Sequence, residues 1–138
     1  MFIIGEIRGE EVFDLLQIMN TGHEGSMTSI HANNPTECLS RLETLYHLAG
    51  HSVPVQAIRA QISRAVNFVI QVSRSKNGER VVSHICELGN LEGERIIVNN
   101  LGAPAGDTGF LKYQGVVPLR MDELIRAGLP QDFFRSGF

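Results

Sequence analysis

Apolar Phe2, Ile3 and Ile4 run together, stop on Gly5 and Glu6, and return once at Ile7 before Arg8 and Gly9. A continuous apolar run reads as a buried strand of a parallel sheet, because both faces of such a strand are covered. Across residues 9–20 the period changes. Val12, Leu15, Leu16 and Met19 recur at i, i+3, i+4 and i+7, one stripe of a helix laid against a sheet, and Gly22 supplies the left-handed position that closes it. Small and β-branched residues over 26–31 predict the next strand. Asn34, Pro35 and Glu37 then stand in register as N-cap, first-turn proline and N3 acid. The helix they start is expected to reach about Ala49, with Leu39, Leu42, Leu45 and Leu48 apolar and Gly50 as its stop. Pro54 opens another helix, in which Val55, Ile58, Ile62 and Ala65 share a face. Strand, helix, strand, helix predicts an α/β fold of parallel strands with crossover helices.

The pattern alters after Asn67. Residues 68–73 and 80–88 are strand-like and are joined through Asn77-Gly78, a strong hairpin signal. Residues 95–101 offer a third strand across Glu92-Gly93, so an antiparallel edge meander is expected. Residues 102–109, with Pro104, three glycines and Asp107, predict a loop. The expected organisation is therefore a sheet-bearing part over 1–101 and a loop with a short helical tail over 102–138. In the tail, residues 118–127 suggest a helix with Met121, Leu124 and Ile125 inward, stopped by Gly128 and Pro130.

Composition narrows the function classes. The chain is 43% hydrophobic and 20% charged with a formal net charge of −3, which gives no electrostatic bias toward nucleic acid. No apolar stretch approaches the roughly 20 residues that span a bilayer, and residues 1 onward lack a secretory signal pattern. Membrane association is therefore expected through partners. Cys38 and Cys86 lack CxxC spacing and sit among apolar residues, as buried free thiols of a reducing compartment do.

The candidate chemistry lies where the strands end. Ligands of open α/β sheets gather beyond the carboxyl ends of the strands. Glu6 stands at such an end, where a carboxylate accepts a proton from water, orients it toward a phosphate, or holds Mg²⁺ through its water shell. Arg8 lies two residues on, and its side chain either pairs with Glu6 or reaches a phosphate across a subunit boundary. The second block is Thr21-Gly22-His23-Glu24-Gly25-Ser26-Met27-Thr28-Ser29-Ile30-His31-Ala32-Asn33. His23 precedes the second strand and His31 ends it. Zinc is not expected, because the helix after His31 carries His47 and His51 away and leaves too few ligands at compatible spacing. Arg41 and Glu43 sit on that helix, and Arg59 and Arg64 on the next, where a solvated or intersubunit face is the default.

Taken together, Gly5-Glu6-Ile7-Arg8-Gly9 and the histidine-bearing block resemble the bacterial type II/IV secretion ATPases, and most of all the CpaF-like branch that drives Tad-type pili. In that family the first block corresponds to the Walker B segment and the second to the histidine box. The resemblance implies the C-terminal portion of a RecA-like P-loop ATPase domain. It implies a cytoplasmic homo-hexamer at the inner face of the cytoplasmic membrane, using ATP and Mg²⁺ and bound to inner-membrane secretion or pilus platform proteins. It also implies Glu6 as the catalytic carboxylate, with Mg²⁺ held through water. By the same resemblance His31 senses the γ-phosphate or couples it to the subunit interface, through a hydrogen bond toward Glu6, while Arg8 and His23 are candidates to sense the nucleotide or to support the residues that do. The P-loop pattern Gly-x-x-x-x-Gly-Lys-Ser/Thr is absent from the 138 residues, whose only lysines are Lys76 and Lys112. The expectation is a chain that starts partway through the motor domain, is inactive alone, and self-associates through its N-terminal strand edge. A non-catalytic oligomerisation or docking module of a secretion platform is the alternative.

Overall fold

The computed structural model describes residues 3–22, 25–50, 52–106 and 109–136. The chain divides into two units, Met1–Asn67 with Asn90–Ile97, and Phe68–Gly89 with Val98–Phe138.

In the first unit, β1 (Ile3–Ile4) and β2 (Met27–Thr28) pair in parallel, Ile3 with Met27 and Ile4 with Thr28. The pairing continues past the strands, since Ile7 N–H donates to the Ser29 carbonyl at 2.9 Å. Parallel neighbours need a crossover, and α1 (Glu11–Asn20) provides it. This helix buries Val12, Leu15 and Leu16, and Gly22 after it takes φ +83°, the left-handed position that its sequence foretold. The second helix, α2 (Pro35–Leu48), begins as the capping pattern requires: Asn34 accepts from Glu37 N–H at 2.8 Å, and Asn33 N–H donates to Glu37 Oε2 at 3.2 Å. Leu39, Leu42 and Leu45 are buried as expected, but Leu48 is exposed. Steps of three residues drift off a 3.6-residue turn, and nine residues from Leu39 the side chain has moved about 180° around the axis. Tyr46 and Cys38 fill the core face instead.

The third helix, α3 (Val55–Ala65), buries Ile58, Ile62 and Ala65, while Val55 at its start stays exposed. The three helices meet around Gln61, whose side-chain oxygen accepts from Tyr46 OH and from Gln17 Nε2, each at 3.3 Å. Phe13 packs edge-on against the Tyr46 ring at 5.6 Å between centroids.

The remaining strands form one sheet in the order β3 (Phe68–Arg74), β4 (Arg80–Glu92), β5 (Arg95–Pro104), β6 (Leu111–Tyr113). The β3–β4 hairpin turns through Gly78 at φ +82°. Two sequence expectations change here. β4 and β5 run on through Gly89, Asn90, Gly102 and Pro104, residues that weaken a strand signal but are held by neighbours on the sheet. β6 pairs antiparallel with the end of β5, Gly102 with Tyr113 and Pro104 with Leu111, so residues 102–104 are strand rather than loop. A Cβ at Gly102 would stand 2.7 Å from Leu111 Cδ1 and 2.9 Å from its Cγ, so Leu111 would have to shift to admit one.

Glu87 of β4 is fully buried and anchors the segment after β6. Its two oxygens accept from the backbone N–H groups of Leu119 (2.7 Å) and Arg120 (2.9 Å), and Arg120 Nη1 adds a contact at 3.2 Å. The tail helix α4 (Met121–Arg126) follows directly, with Met121, Leu124 and Ile125 half-buried, and α5 (Phe133–Ser136) ends the described chain.

Cys38 and Cys86 are buried free thiols, and burial pushes the Cys38 thiol up to about 11. Cys86 Sγ donates to Asn100 Oδ1 at 3.0 Å. Among the described residues no helix is long and apolar enough to cross a membrane.

Candidate functional site

Three backbone segments converge beyond the carboxyl ends of β1 and β2. The 5–8 loop leaves β1, residues 29–31 leave β2, and α1 starts at Glu11. Their positions are fixed locally. Ser29 Oγ donates to the Gly5 carbonyl at 2.5 Å, which ties the two strand ends together where the parallel ladder stops. Glu11 Oε1 accepts from Arg8 N–H at 2.6 Å and Gly9 N–H at 3.1 Å, so the loop is clamped onto the first turn of α1. Those bonds hold the Glu11 carboxyl below its usual range.

Glu6 occupies the centre. Arg8 Nε donates to Glu6 Oε2 at 2.7 Å and its Nη2 stands 2.6 Å from the same oxygen. His31 Nε2 lies 2.8 Å from the other oxygen, Oε1. The Glu6 side chain is 20% exposed, whereas that of His31 is 80% exposed. The hydrogen bond from Arg8 is the chief cause that holds the Glu6 carboxyl below its ordinary value; the charges of Arg8, His31 and Arg41 work in the same direction, against partial desolvation. Glu6 in turn raises the Arg8 guanidinium.

Sequence reasoning placed Glu6, Arg8 and His31 at one strand edge, and the structure brings these three into direct contact. The fourth residue, His23, lies outside the described residues, as does Glu24. Arg59 of α3 is engaged within its own unit: Nε and Nη2 hold Glu43 at 2.7 and 3.3 Å, and Nη1 donates to the Glu94 carbonyl at 2.8 Å. Arg64 is exposed. Three participants were missed from sequence. The Glu11 clamp carried a readable signal, an acid in the first turn of a helix. The Ser29–Gly5 bond and the influence of Arg41 on Glu6 depend on tertiary approach and had none.

Chemically, the site offers one anchored carboxylate beside two exposed proton donors. That donor set suits a phosphate and the water shell of a hard cation such as Mg²⁺. Among the described residues no group of three or more His, Cys, Asp or Glu could hold a metal directly.

Comparison with known proteins places the chain in a family. The family described as type II/IV secretion system protein matches residues 1–108, which includes the whole Glu6 site. The chain belongs to the type II/IV secretion system protein family. A putative conjugal transfer protein of Mycobacterium tuberculosis is 42% identical over 91 residues, covering 66% of this chain and 25% of the relative. The conjugal transfer protein TrbB of Rhizobium radiobacter is 39% identical over 85 residues, or 60% of this chain and 25% of the relative. Among solved structures, the VirB11 ATPase of the Brucella suis type IV secretion system, in complex with sulphate, superposes with a TM-score of 0.57 at 27% identity. That match covers 62% of this chain and 26% of the VirB11 chain. The chain thus spans about a quarter of the length of these type II/IV secretion relatives.

Proposed function

We propose that this chain is part of the motor domain of an ATP-hydrolysing secretion ATPase and supplies its water-orienting and phosphate-sensing edge. The observation that carries the reading is Glu6 held with Arg8 against one oxygen and His31 against the other. The family match over residues 1–108 and the likeness to the VirB11 ATPase support it. In this proposal the fold is the C-terminal portion of a RecA-like P-loop domain, β1 carries the Walker B segment, and 21–33 form the histidine box. The phosphate-cradling loop comes from sequence other than these 138 residues. The assembled protein is a homo-hexamer that docks on inner-membrane platform proteins from the cytoplasm, and the CpaF-like motif pattern points to Tad-type pilus assembly.

The acid–base properties assign roles. A carboxylate held below its usual range is a poor proton acceptor at neutral pH, since efficient general bases have pKa values near the working pH. Glu6 therefore orients the attacking water and the shell of Mg²⁺ rather than abstracting a proton. Bound Mg²⁺ would supply charge neutralisation at the phosphates. Arg8 fixes the carboxylate, and His31, largely in solvent, reports the state of the phosphate to whatever lies against it.

The decisive measurement is steady-state turnover of the full-length protein carrying Glu6→Gln. Nucleotide binding should persist while kcat falls about a hundredfold or more, the scale of a positioned acid–base or water-orienting group. Unchanged turnover would remove Glu6 from the mechanism and leave a docking module as the better reading.

A further inference from the structure

Arg41 is a cation of the Glu6 edge that no carboxylate holds among the described residues. It is the seventh residue of α2 and closes the second turn of that helix, exposed where its neighbour Leu42 is buried. Helical side chains lean toward the helix N-terminus. For α2 that is the side on which residues 29–34 arrive from β2, and His31 of that segment stands 2.8 Å from Glu6. The arginine charges that act on the Glu6 carboxyl are those of Arg8 and Arg41. Glu37, one turn back from Arg41, is turned to Asn33 N–H instead. Arg59 of α3 makes the contrast, since Glu43 and the Glu94 carbonyl occupy its guanidinium.

The charge balance of the edge gives this arginine a task. Glu6 and Glu11 bring two negative charges there. Arg8 offsets one of them: its Nε and Nη2 both lie on Glu6 Oε2, and the Glu11 charge acts on it as well. His31 adds positive charge only when protonated. The Arg8 and Gly9 amides are taken by Glu11. A phosphate brought to this edge therefore meets a surplus carboxylate unless a further cation receives it. A guanidinium not already bonded to a carboxylate meets that need, because its planar fork offers two parallel N–H groups to a pair of phosphate oxygens together with a full positive charge.

We propose that Arg41 is a substrate-binding residue of the Glu6 site, whose guanidinium reaches from α2 to take the terminal phosphate of a nucleoside triphosphate while Arg8 stays on Glu6; this rests on the ATPase reading of that site. The two arginines then divide the work, Arg8 holding the carboxylate and Arg41 the anion. A diphosphate, which lacks the terminal group, does not engage Arg41.

Nucleotide titrations of the full-length protein test it. Calorimetry with Mg²⁺ and either the β,γ-imido analogue of ATP or ADP is run on the wild type, Arg41→Ala, Arg41→Lys and Glu6→Gln, beside steady-state turnover. Arg41→Ala should weaken binding of the triphosphate analogue by about tenfold or more, raise KM for ATP in step, and leave ADP affinity unchanged. Arg41→Lys keeps the charge without the fork and should recover part of the loss. If Arg41→Ala fails to fold, Arg41→Gln decides by the same two affinities, and misfolding of both would show a structural role and overturn the proposal. Equal weakening of triphosphate and diphosphate binding also overturns it. Unchanged triphosphate binding in Arg41→Ala, with turnover lost in Glu6→Gln, overturns the role of Arg41 and leaves the ATPase reading standing. A wild type that neither binds nor hydrolyses ATP removes both.

Discussion

His31 and Glu6 meet through Nε2 and Oε1 at 2.8 Å, although one residue follows β2 and the other follows β1. The contact links the ends of two parallel strands by a side chain that is itself largely in solvent. Removing it should cost function more than fold. In the full-length protein His31→Ala should lower ATP turnover by about tenfold, the equivalent of ~1.4 kcal/mol in the barrier. His31→Gln, which can still donate to Glu6, should retain more activity than alanine, and added zinc should restore neither. Full activity of the alanine variant would show that His31 has no part in turnover.

Acid should separate Glu6 from its partners in a defined window. The folded-state carboxyl lies below its ordinary value of 4.5, chiefly through the Arg8 hydrogen bond. The stabilisation it brings is therefore complete above about pH 4.5 and is lost as pH falls through the folded value. Urea midpoints of the wild type and Glu6→Gln should differ by a constant amount at neutral pH and converge below pH 4.5. A gap that persists unchanged into acid would mean that the pair contributes nothing through ionisation.

The capping pattern at α2 makes a stability prediction. Asn34→Ala removes the acceptor for Glu37 N–H and should cost about 1 kcal/mol. Asn34→Asp keeps the acceptor and should cost little. Thermal denaturation of the two variants checks this; an equal loss for both would place the effect elsewhere than in the cap.

Legibility from sequence followed the range of the interactions. Asn34, Pro35 and Glu37 announced the start of α2 because a cap is a matter of neighbours along the chain, and the hairpin at Gly78 was readable for the same reason. The parallel pairing of β1 with β2 followed from an apolar run, a helix and a second run. The reach of β4 and β5 and the existence of β6 were not readable. Glycine, asparagine and proline argue against strand locally, and only pairing across the sheet overrules them. Of the site, Glu6, Arg8 and His31 were placed through motif order. The approach of His31 to Glu6, and the Ser29 tie beneath them, needed the two strand ends side by side.

Buried Glu87 was silent in sequence for a related reason, since an acid within a strand reads as surface. It carries a sharp prediction. Glu87→Gln removes the charge that faces Arg120 and exchanges one acceptor for a donor aimed at backbone N–H groups. Breaking one side of a buried pair costs about 3–5 kcal/mol. Hydrogen exchange should show the amides of Leu119 and Arg120 losing protection before those of α2. Uniform loss across the chain would mean that Glu87 supports the whole fold rather than the tail.

Gly102 offers an independent check on the end of β5. Gly102→Ala drives a methyl into the branched head of Leu111 and should destabilise by about 1–3 kcal/mol. The double variant Gly102→Ala/Leu111→Ala should recover part of that cost relative to the sum of the single changes. Strict additivity would show that the two residues do not meet.

The Glu11 clamp has a consequence for how the Glu6 edge can meet an anion. The start of a helix ordinarily offers free amides and a partial positive charge, a ready seat for phosphate. Here the first turn of α1 carries its own carboxylate, Glu11, which already takes the Arg8 and Gly9 amides just ahead of the helix. The helix arrives with its own resident anion. A phosphate approaching Glu6 must either evict Glu11 or be received by side chains, so Arg8 and His31 become the gatekeepers of a seat that the backbone has already given away.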